Sequence, residues 1–478
     1  MTIRAVAAAV AVQLLSIFAV AAQTPAEAGQ WGAVFKWPVV AIHMHVLPDG
    51  RVITWERKDT VLTTETWLWN PKTPADFTKV MNPYASVFCS GHTYLPSGVL
   101  LVAGGHHFKD GFGEKTVTFF DWRTNIWTKG PDMNDGRWYP TASALRNGEV
   151  VVVGGSAQSG QEARVNPLPQ VWQPATNTWR NLTGALREVP LYSMILLAPD
   201  GKAVAVGPNP ESMFLDTAGA GDWTEGPQSS GPFRDYGSAV EYRPGKILLV
   251  GGGPPTASAE TLDLNVTPFV WKATAPMAFK RRQLNATLLP DGTVLVTGGS
   301  SAPGFNNADG SVLASEIWNP ETGKWTTVAS QSVRRLYHST AALLADGRVL
   351  SAGGGMPPSP EGGDTDHRDA QIYSPSYLFR GARPVLTSAP ASVGFAEQFK
   401  VSTPSPNDIQ RVTWIRLSSV THAFNQSQRF NELSFTRSGA YELTVTSPRL
   451  GECPPGPYLL FGLNGQGVPS EGKVVFIR

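Results

Sequence analysis

Two thiols, eight imidazoles and eleven phenols are the side chains of this sequence that can hold a transition metal or carry redox chemistry. Each type taken alone is more often structural. A buried cysteine behaves as a small hydrophobe, and in an exported chain Cys89 and Cys453 would be expected to pair as one disulfide. His43 and His45 alternate with Met44 on one strand face, so they are within reach of a common metal, but a solvated or hydrogen-bonded pair is the expectation. His106 and His107 follow a glycine pair and read as exposed loop histidines near a strand end, and His367, in the acidic run 364–369, reads as solvated surface. Tyr139 and the adjacent Tyr337 and His338 add phenol and imidazole, a combination that means little until the fold shows which of them meet.

The frame that positions them is a repeat. A turn, an apolar strand and usually a glycine pair recur seven times: PDGRVITW (48–55), PSGVLLVAGG (96–105), NGEVVVVGG (147–155), PDGKAVAVG (199–207), PGKILLVGG (244–252), PDGTVLVTGG (290–299) and ADGRVLSAGG (345–354). The turn glycines Gly50, Gly98, Gly148, Gly201, Gly245, Gly292 and Gly347 are 44 to 55 residues apart, which is the kelch range. An aromatic-polar-proline signature such as WQPATNTW (172–179) or WNPETGKW (318–325) recurs with them. Asp-Gly between apolar runs marks a tight hairpin, so each unit is a small antiparallel sheet. Such a sheet cannot bury both faces alone and must pack radially on its neighbours. The prediction is an all-β chain with a seven-bladed kelch-type propeller over 30–380, in which the segment Gln30 to Lys36 supplies the outer strand of the last blade. From 383 to 478 the period stops and ordinary strand alternation takes over (RVTWIRL, YELTVTSP, YLLFGLN), which predicts an immunoglobulin-like β-sandwich.

Composition excludes several functions. With 39 basic and 38 acidic side chains the net charge is +1, leaving no surplus to neutralise nucleic acid or an anionic membrane. Arg4, the apolar run from Ala5 to Ala22 and the small residues around Ala19, Ala21 and Ala22 predict a signal peptide over 1–22, hence a secreted or otherwise extracytoplasmic protein with no membrane span after cleavage. A closed propeller gives no reason to expect more than a monomer.

Register converts the repeat into a map. The ninth residue before each turn glycine is Ala41, Cys89, Tyr139, Tyr192, Tyr236, Gln283 or His338, and the tenth includes Phe88, Trp138, Asp235, Arg282 and Tyr337. Equivalent positions of radially packed blades form a ring about the axis, so Cys89, Tyr139 and His338 are predicted to converge at one mouth of the channel.

Four motifs on that map, FCSG at 88–91, GRWYP at 136–140, RLYHS at 335–339 and THAFNQSQRF at 421–430, resemble those of the copper radical oxidases, the family of galactose oxidase and glyoxal oxidase. The resemblance implies Cu(II) held by Tyr139, Tyr337, His338 and His422, with His422 delivered by the C-terminal domain; imidazoles and phenolates in a tetragonal set suit that ion. It also implies a thioether joining Cys89 to Tyr139 that carries a radical, the second one-electron acceptor that a two-electron oxidation requires. Tyr337 would act as general base, and dioxygen would leave as hydrogen peroxide. The substrate would be a small molecule. In galactose oxidase-type members a tryptophan following the tyrosine's strand stacks on the linked unit, whereas Gly154 to Asn166 contains no Trp. Trp138 directly precedes Tyr139 instead, a pattern similar to the glyoxal oxidase branch, which points to small aldehydes or primary alcohols rather than hexoses and leaves the radical without its stack. Arg282, Gln283, Tyr192, Asp235 and Tyr236 are candidates for substrate contact by register. The competing reading is a secreted, non-catalytic kelch protein binding a glycan or a protein, and copper content with peroxide release separates the two. Asn181, Asn265, Asn285 and Asn425 each open an Asn-x-Ser/Thr triplet.

Overall fold

The computed structural model describes residues 23–58, 61–157, 164–356 and 365–478. The predicted leader 1–22, the middle of the 154–166 stretch and Asp364 lie outside the described residues.

The chain is all-β, a succession of mostly four-stranded antiparallel sheets followed by a separate β domain, the arrangement of a kelch propeller with a β appendage. Each repeat turn joins the first two strands of one sheet: the Gly148 turn, for example, links Trp138–Ala144 to Val150–Ser156, and Gln170–Gln173 and Thr178–Asn181 complete that sheet. All seven turn glycines have φ between 69° and 93°, the conformation that made glycine the sequence marker. The sheet of the Gly347 turn is completed from the other end of the chain. Gln30 and Trp31 pair with Ser374 and Tyr373, and Phe35 pairs with Ala370, so the segment expected to close the last sheet does so.

The glycine pairs are where neighbouring sheets touch. The amides of Gly105, Gly252 and Gly299 donate to the carbonyls of Arg137, Arg281 and Arg335 at the entry to the next sheet (2.7–3.0 Å). A Cβ on Gly298 would lie 2.4 Å from the Arg335 carbonyl oxygen, so only glycine permits this approach. These arginines, and Arg234 at the equivalent position, then turn back into their own sheets. Arg137, Arg234, Arg281 and Arg335 donate to the carbonyls of Gly154, Gly251, Gly298 and Gly353. Arg234 and Arg281 also pair with Glu260 and Glu316 at 2.6 Å, all four side chains being buried.

The C-terminal domain has a five-stranded and a three-stranded sheet around one core of Phe399, Val401, Trp414, Leu443, Val445, Leu460 and Val475. Cys453 packs in this core while Cys89 sits among the propeller-side aromatics, and neither is in a disulfide. The expected Cys89–Cys453 bridge is therefore corrected: the two residues belong to different hydrophobic clusters.

One hairpin of this domain enters the first. Ser419–Thr421 pairs antiparallel with His43–Val46, the inner strand of the Gly50 sheet, and turns back as Phe424–Asn425. The two turn residues, His422 and Ala423, both have positive φ (48° and 70°), as a tight two-residue hairpin requires, although neither is a residue that favours it. The residues after the turn explain the polar motif: Gln426 accepts from the amides of His92 and Ala142, and Gln428 accepts from Leu288 and donates to Ala286. They satisfy inner-strand backbone that would otherwise face an empty channel. Asn285 and Asn425 are buried, which removes both as glycan acceptors; Asn181 and Asn265 are exposed.

Candidate metal centre

Six of the seven register positions adopt the left-handed conformation: Cys89 (φ 61°), Tyr139 (63°), Tyr192 (47°), Tyr236 (50°), Gln283 (60°) and His338 (66°). A non-glycine residue there costs on the order of 1–2 kcal/mol, and a fold that holds six of them in one ring is directing those side chains to one place. Three steps of the ring are linked through the backbone. The amide of Tyr139 donates to the Cys89 carbonyl, that of Tyr192 to Tyr139 and that of Gln283 to Tyr236, at 2.8–2.9 Å.

The side chains meet beneath the hairpin. The hydroxyls of Tyr139 and Tyr337 form one very short contact, and His422 Nε2 lies 2.9 Å from Tyr139 Oη and 3.7 Å from Cys89 Sγ. Ligand atoms of Cys89, His338 and His422 all lie within 4.8 Å of one another. Hydrogen bonding fixes which imidazole nitrogens are free. His338 Nδ1 lies 2.8 Å from the Gly355 carbonyl, which only accepts, so Nδ1 carries the proton and Nε2, buried with no protein partner, presents a lone pair. Thr421 Oγ1 donates to the Ile42 carbonyl at 2.9 Å, so it accepts from His422 Nδ1 at 2.6 Å, which leaves His422 Nε2 as a lone pair also.

Burial sets the charge states. It lowers the His338 pKa to about 3, against the bond to Gly355, and holds His422 well below the usual imidazole value, with His338 adding to the effect, so both rings are neutral. Burial likewise pushes the phenols of Tyr139 and Tyr337 well above their ordinary value, with Cys89 and Tyr236 adding to both; Tyr337 raises Tyr139 further, whereas the bond to Tyr139 acts against the rise at Tyr337. Neutral imidazole lone pairs and phenols that ionise only beside a cation suit a divalent metal, because one dication with two phenolates carries no net charge into a dry site. Two nitrogen and two oxygen donors are a set for Cu(II).

Trp138 lies on Tyr139 with ring centroids 3.9 Å apart and planes 24° from parallel. The stack that the tryptophan-free 154–166 stretch appeared to remove is therefore present, supplied by the residue before the tyrosine.

A cavity of about 600 Å³ opens onto this cluster, with Tyr139, Tyr337 and His422 in its wall beside Trp138, Phe233 and Phe305. Of the residues predicted to contact substrate, Tyr192, Asp235 and Tyr236 line it. Arg282 and Gln283 do not. Arg282 pairs with Asp235, donates to the Gly304 carbonyl and lies against Phe305 (5.1 Å), so it braces the wall; Gln283 is buried outside the lining with neither amide atom partnered. Phe233, Phe305 and Phe424 were not foreseen: the first two come from connections outside the repeat and Phe424 from the returning strand of the inserted hairpin.

The other histidines depart from expectation. His106 is buried against Phe88 rather than exposed, and His107 bonds Glu114 at 2.5 Å. His367 is half-buried 3.5 Å from Asp369 rather than solvated. His43 and His45 are fully buried and hydrogen-bonded, as a pair on one face, with His92 as an unforeseen third member.

Comparison with known proteins agrees with this geometry. Residues 383–477 match the galactose oxidase-like early set domain, and 255–359 match the glyoxal oxidase N-terminus. The chain is 30% identical to galactose oxidase of Gibberella zeae over 94% of its own length and 70% of that protein's. It is 28% identical to the aldehyde oxidase GLOX of Vitis pseudoreticulata over 90% and 89% of the two chains. Among solved structures, a fungal alcohol oxidase of the AA5 family in complex with copper superimposes with a TM-score of 0.85 at 26% identity, covering 94% of this chain and all of that one.

Proposed function

Because this chain belongs to the family of galactose oxidase and the glyoxal oxidases, copper-dependent oxidases, we propose that it oxidises a small aldehyde, as its hydrate, or a primary alcohol by two electrons while reducing dioxygen to hydrogen peroxide. The scaffold is read as a seven-bladed propeller over 30–380 with an immunoglobulin-like sandwich over 383–478, exported behind the leader 1–22 and acting as a monomer. The observation that carries the reading is the convergence of two imidazole lone pairs and two phenol oxygens beside Cys89 at the wall of one cavity.

Tyr139, Tyr337, His338 and His422 would hold the ion, and copper bound there would supply a one-electron couple and the route to dioxygen. The remaining work falls to side chains. Tyr337, ionised by the neighbouring cation, accepts the substrate hydroxyl proton. Tyr139, joined through a ring carbon to Cys89 Sγ and held as the one-electron-oxidised radical, accepts the hydrogen atom from the adjacent carbon, the second electron being the one that the copper couple would take, and Trp138 covers its face. The cavity wall selects substrate: Phe233, Phe305, Leu191 and Phe424 leave few partners for a polyhydroxylated ring, and beyond the candidate ligands the polar exceptions include Tyr192, Asp235 and Tyr236. This supports a compact, partly apolar aldehyde or alcohol over a hexose. The test is peroxide release from copper-loaded protein across simple aldehydes, aliphatic and aryl alcohols and galactose. Turnover of the first groups well above galactose supports the reading, and copper binding with no peroxide from any of them refutes it.

A further inference from the structure

The Cys89 backbone is held by a side chain. Tyr139, Tyr192 and Gln283 each donate their amide to the carbonyl of the preceding ring residue, whereas Tyr236, His338 and Cys89 make no such bond, and the carbonyl that precedes Cys89 in the ring is that of Ala41. Ala41 is the ring position that lacks a positive φ, and its carbonyl is taken by Thr340 Oγ1 at 2.8 Å. The Cys89 amide donates instead to His43 Nε2 at 2.9 Å.

That bond dictates a chain of others. An amide can only donate, so His43 Nε2 is an acceptor and the proton of the neutral ring sits on Nδ1. Nδ1 lies 3.1 Å from His92 Nε2, which must therefore accept, leaving the His92 proton on Nδ1, 2.7 Å from Ser419 Oγ. Ser419 Oγ donates onward to the His92 carbonyl at 3.2 Å. The three residues are fully buried, with the His43 ring stacked on Trp55 at 4.9 Å. Ser419 belongs to the inserted hairpin, three residues before His422, and His43 is the ladder partner of Thr421. The relay thus ties the backbone of the thiol to the strand that delivers a candidate metal ligand.

We propose that His43, oriented by His92 and Ser419, is a positioning residue that holds Cys89 in its left-handed conformation so that Sγ is presented to the ring of Tyr139 for cross-linking. The inference rests on the thioether reading above. In the step, the Cys89 S–H and one Tyr139 ring C–H bond break, an S–C bond forms, and two electrons with two protons pass to dioxygen, giving hydrogen peroxide. Without the imidazole acceptor the Cys89 amide would lose the bond that anchors it, and the backbone would relax away from the strained φ. The same bookkeeping argues against His43, His45 and His92 as a second metal site, although their ring nitrogens lie within 4.8 Å: metal on His43 Nδ1 would put a proton on Nε2 facing the Cys89 amide, donor against donor.

The experiment is a time course of cross-linking in aerated, copper-loaded protein, read as the Cys89 and Tyr139 peptides that stay joined after reduction and alkylation, alongside copper stoichiometry and thermal melting. His43→Gln places an amide oxygen where Nε2 was and is expected to cross-link near the wild-type rate. His43→Asn, whose oxygen replaces Nδ1, and His43→Leu are expected to be at least about tenfold slower while still binding one copper, the order of penalty that misplacing a reacting group carries. Ser419→Ala, at the far end of the relay, should show a smaller slowing with the fold intact, which covers the case of a His43 variant that does not fold. Equal rates in all variants would overturn the inference, as would a second copper bound by the wild type and lost in His45→Ala. Failure of the wild type itself to cross-link, with Cys89 alkylated and copper bound, would overturn the thioether reading and this inference with it.

Discussion

Replacing Thr421 by Val exchanges one hydroxyl for a methyl of nearly the same size, one residue from a candidate ligand. Thr421 Oγ1 donates to the Ile42 carbonyl at 2.9 Å and accepts from His422 Nδ1 at 2.6 Å. In the metal-free variant His422 can move its proton to Nε2 and donate to the Tyr139 hydroxyl, 2.9 Å away. Bound metal forbids that tautomer and forces a buried, unpaired Nδ1–H. A buried orphan donor costs about 1–3 kcal/mol, and about 2 kcal/mol corresponds to a roughly thirtyfold loss of copper affinity. Competitive titration against a chelator measures it, with Thr421→Ser, which retains the hydroxyl, expected to bind within a few-fold of wild type. Equal copper affinity in Thr421→Val and wild type would refute the tautomer assignment and with it the role of His422 Nε2 as a donor to the metal.

Other expectations follow from the same structure. Burial lowers His92 and His338 to about 3 in the folded chain, so as pH falls below about 6.5 the unfolded chain takes up protons that the folded one refuses. Metal-free protein should therefore keep this stability above about pH 6.5 and lose about 1.4 kcal/mol per histidine near pH 5.5, read as a falling denaturant midpoint; a flat profile would contradict it. Glu316→Gln leaves the Arg281 guanidinium buried without its counter-charge and should cost about 3–5 kcal/mol in denaturant unfolding. Trp138→Ala should leave copper binding and the cross-link intact but shorten the lifetime of the oxidised chromophore by about tenfold, since a stacked aromatic pair is worth about 1 kcal/mol or somewhat more.

The turns were legible because a hairpin glycine with positive φ leaves a fixed mark in sequence, and counting back from it reaches the ring because six of the seven residues nine positions before a turn glycine adopt the same left-handed conformation. The ring residues carry their own strain, invisible in sequence, which is why Cys89, Tyr139 and His338 were placed by counting and not by any local signal. His422 has no register relation to the repeat, so its placement came from the motif's resemblance alone. The arginines before the ring, Arg137, Arg234, Arg281 and Arg335, do leave a signal, since each stands two or three residues ahead of a ring position, and it went unread because a buried arginine is not expected. Arg282 and Gln283 sit at the right register yet outside the cavity lining: Asp235 and Gly304 hold the Arg282 guanidinium, and Gln283 is buried. The apolar wall was out of reach: Phe233 and Phe305 come from connections whose paths no periodicity fixes, and Phe424 from a hairpin strand with no register relation to the repeat. Cys453 shows the reverse failure: the general rule that pairs exported thiols does not hold here, because Cys453 and Cys89 pack in different hydrophobic clusters.

The measurement that bears most directly on the central claim is peptide mass spectrometry of copper-loaded, aerated protein after full thiol reduction and alkylation. The account predicts one species in which the peptides of Cys89 and Tyr139 remain joined and lighter by two hydrogens than their sum, with one copper per chain. Release of the Cys89 peptide in alkylated form, with copper bound, would contradict it.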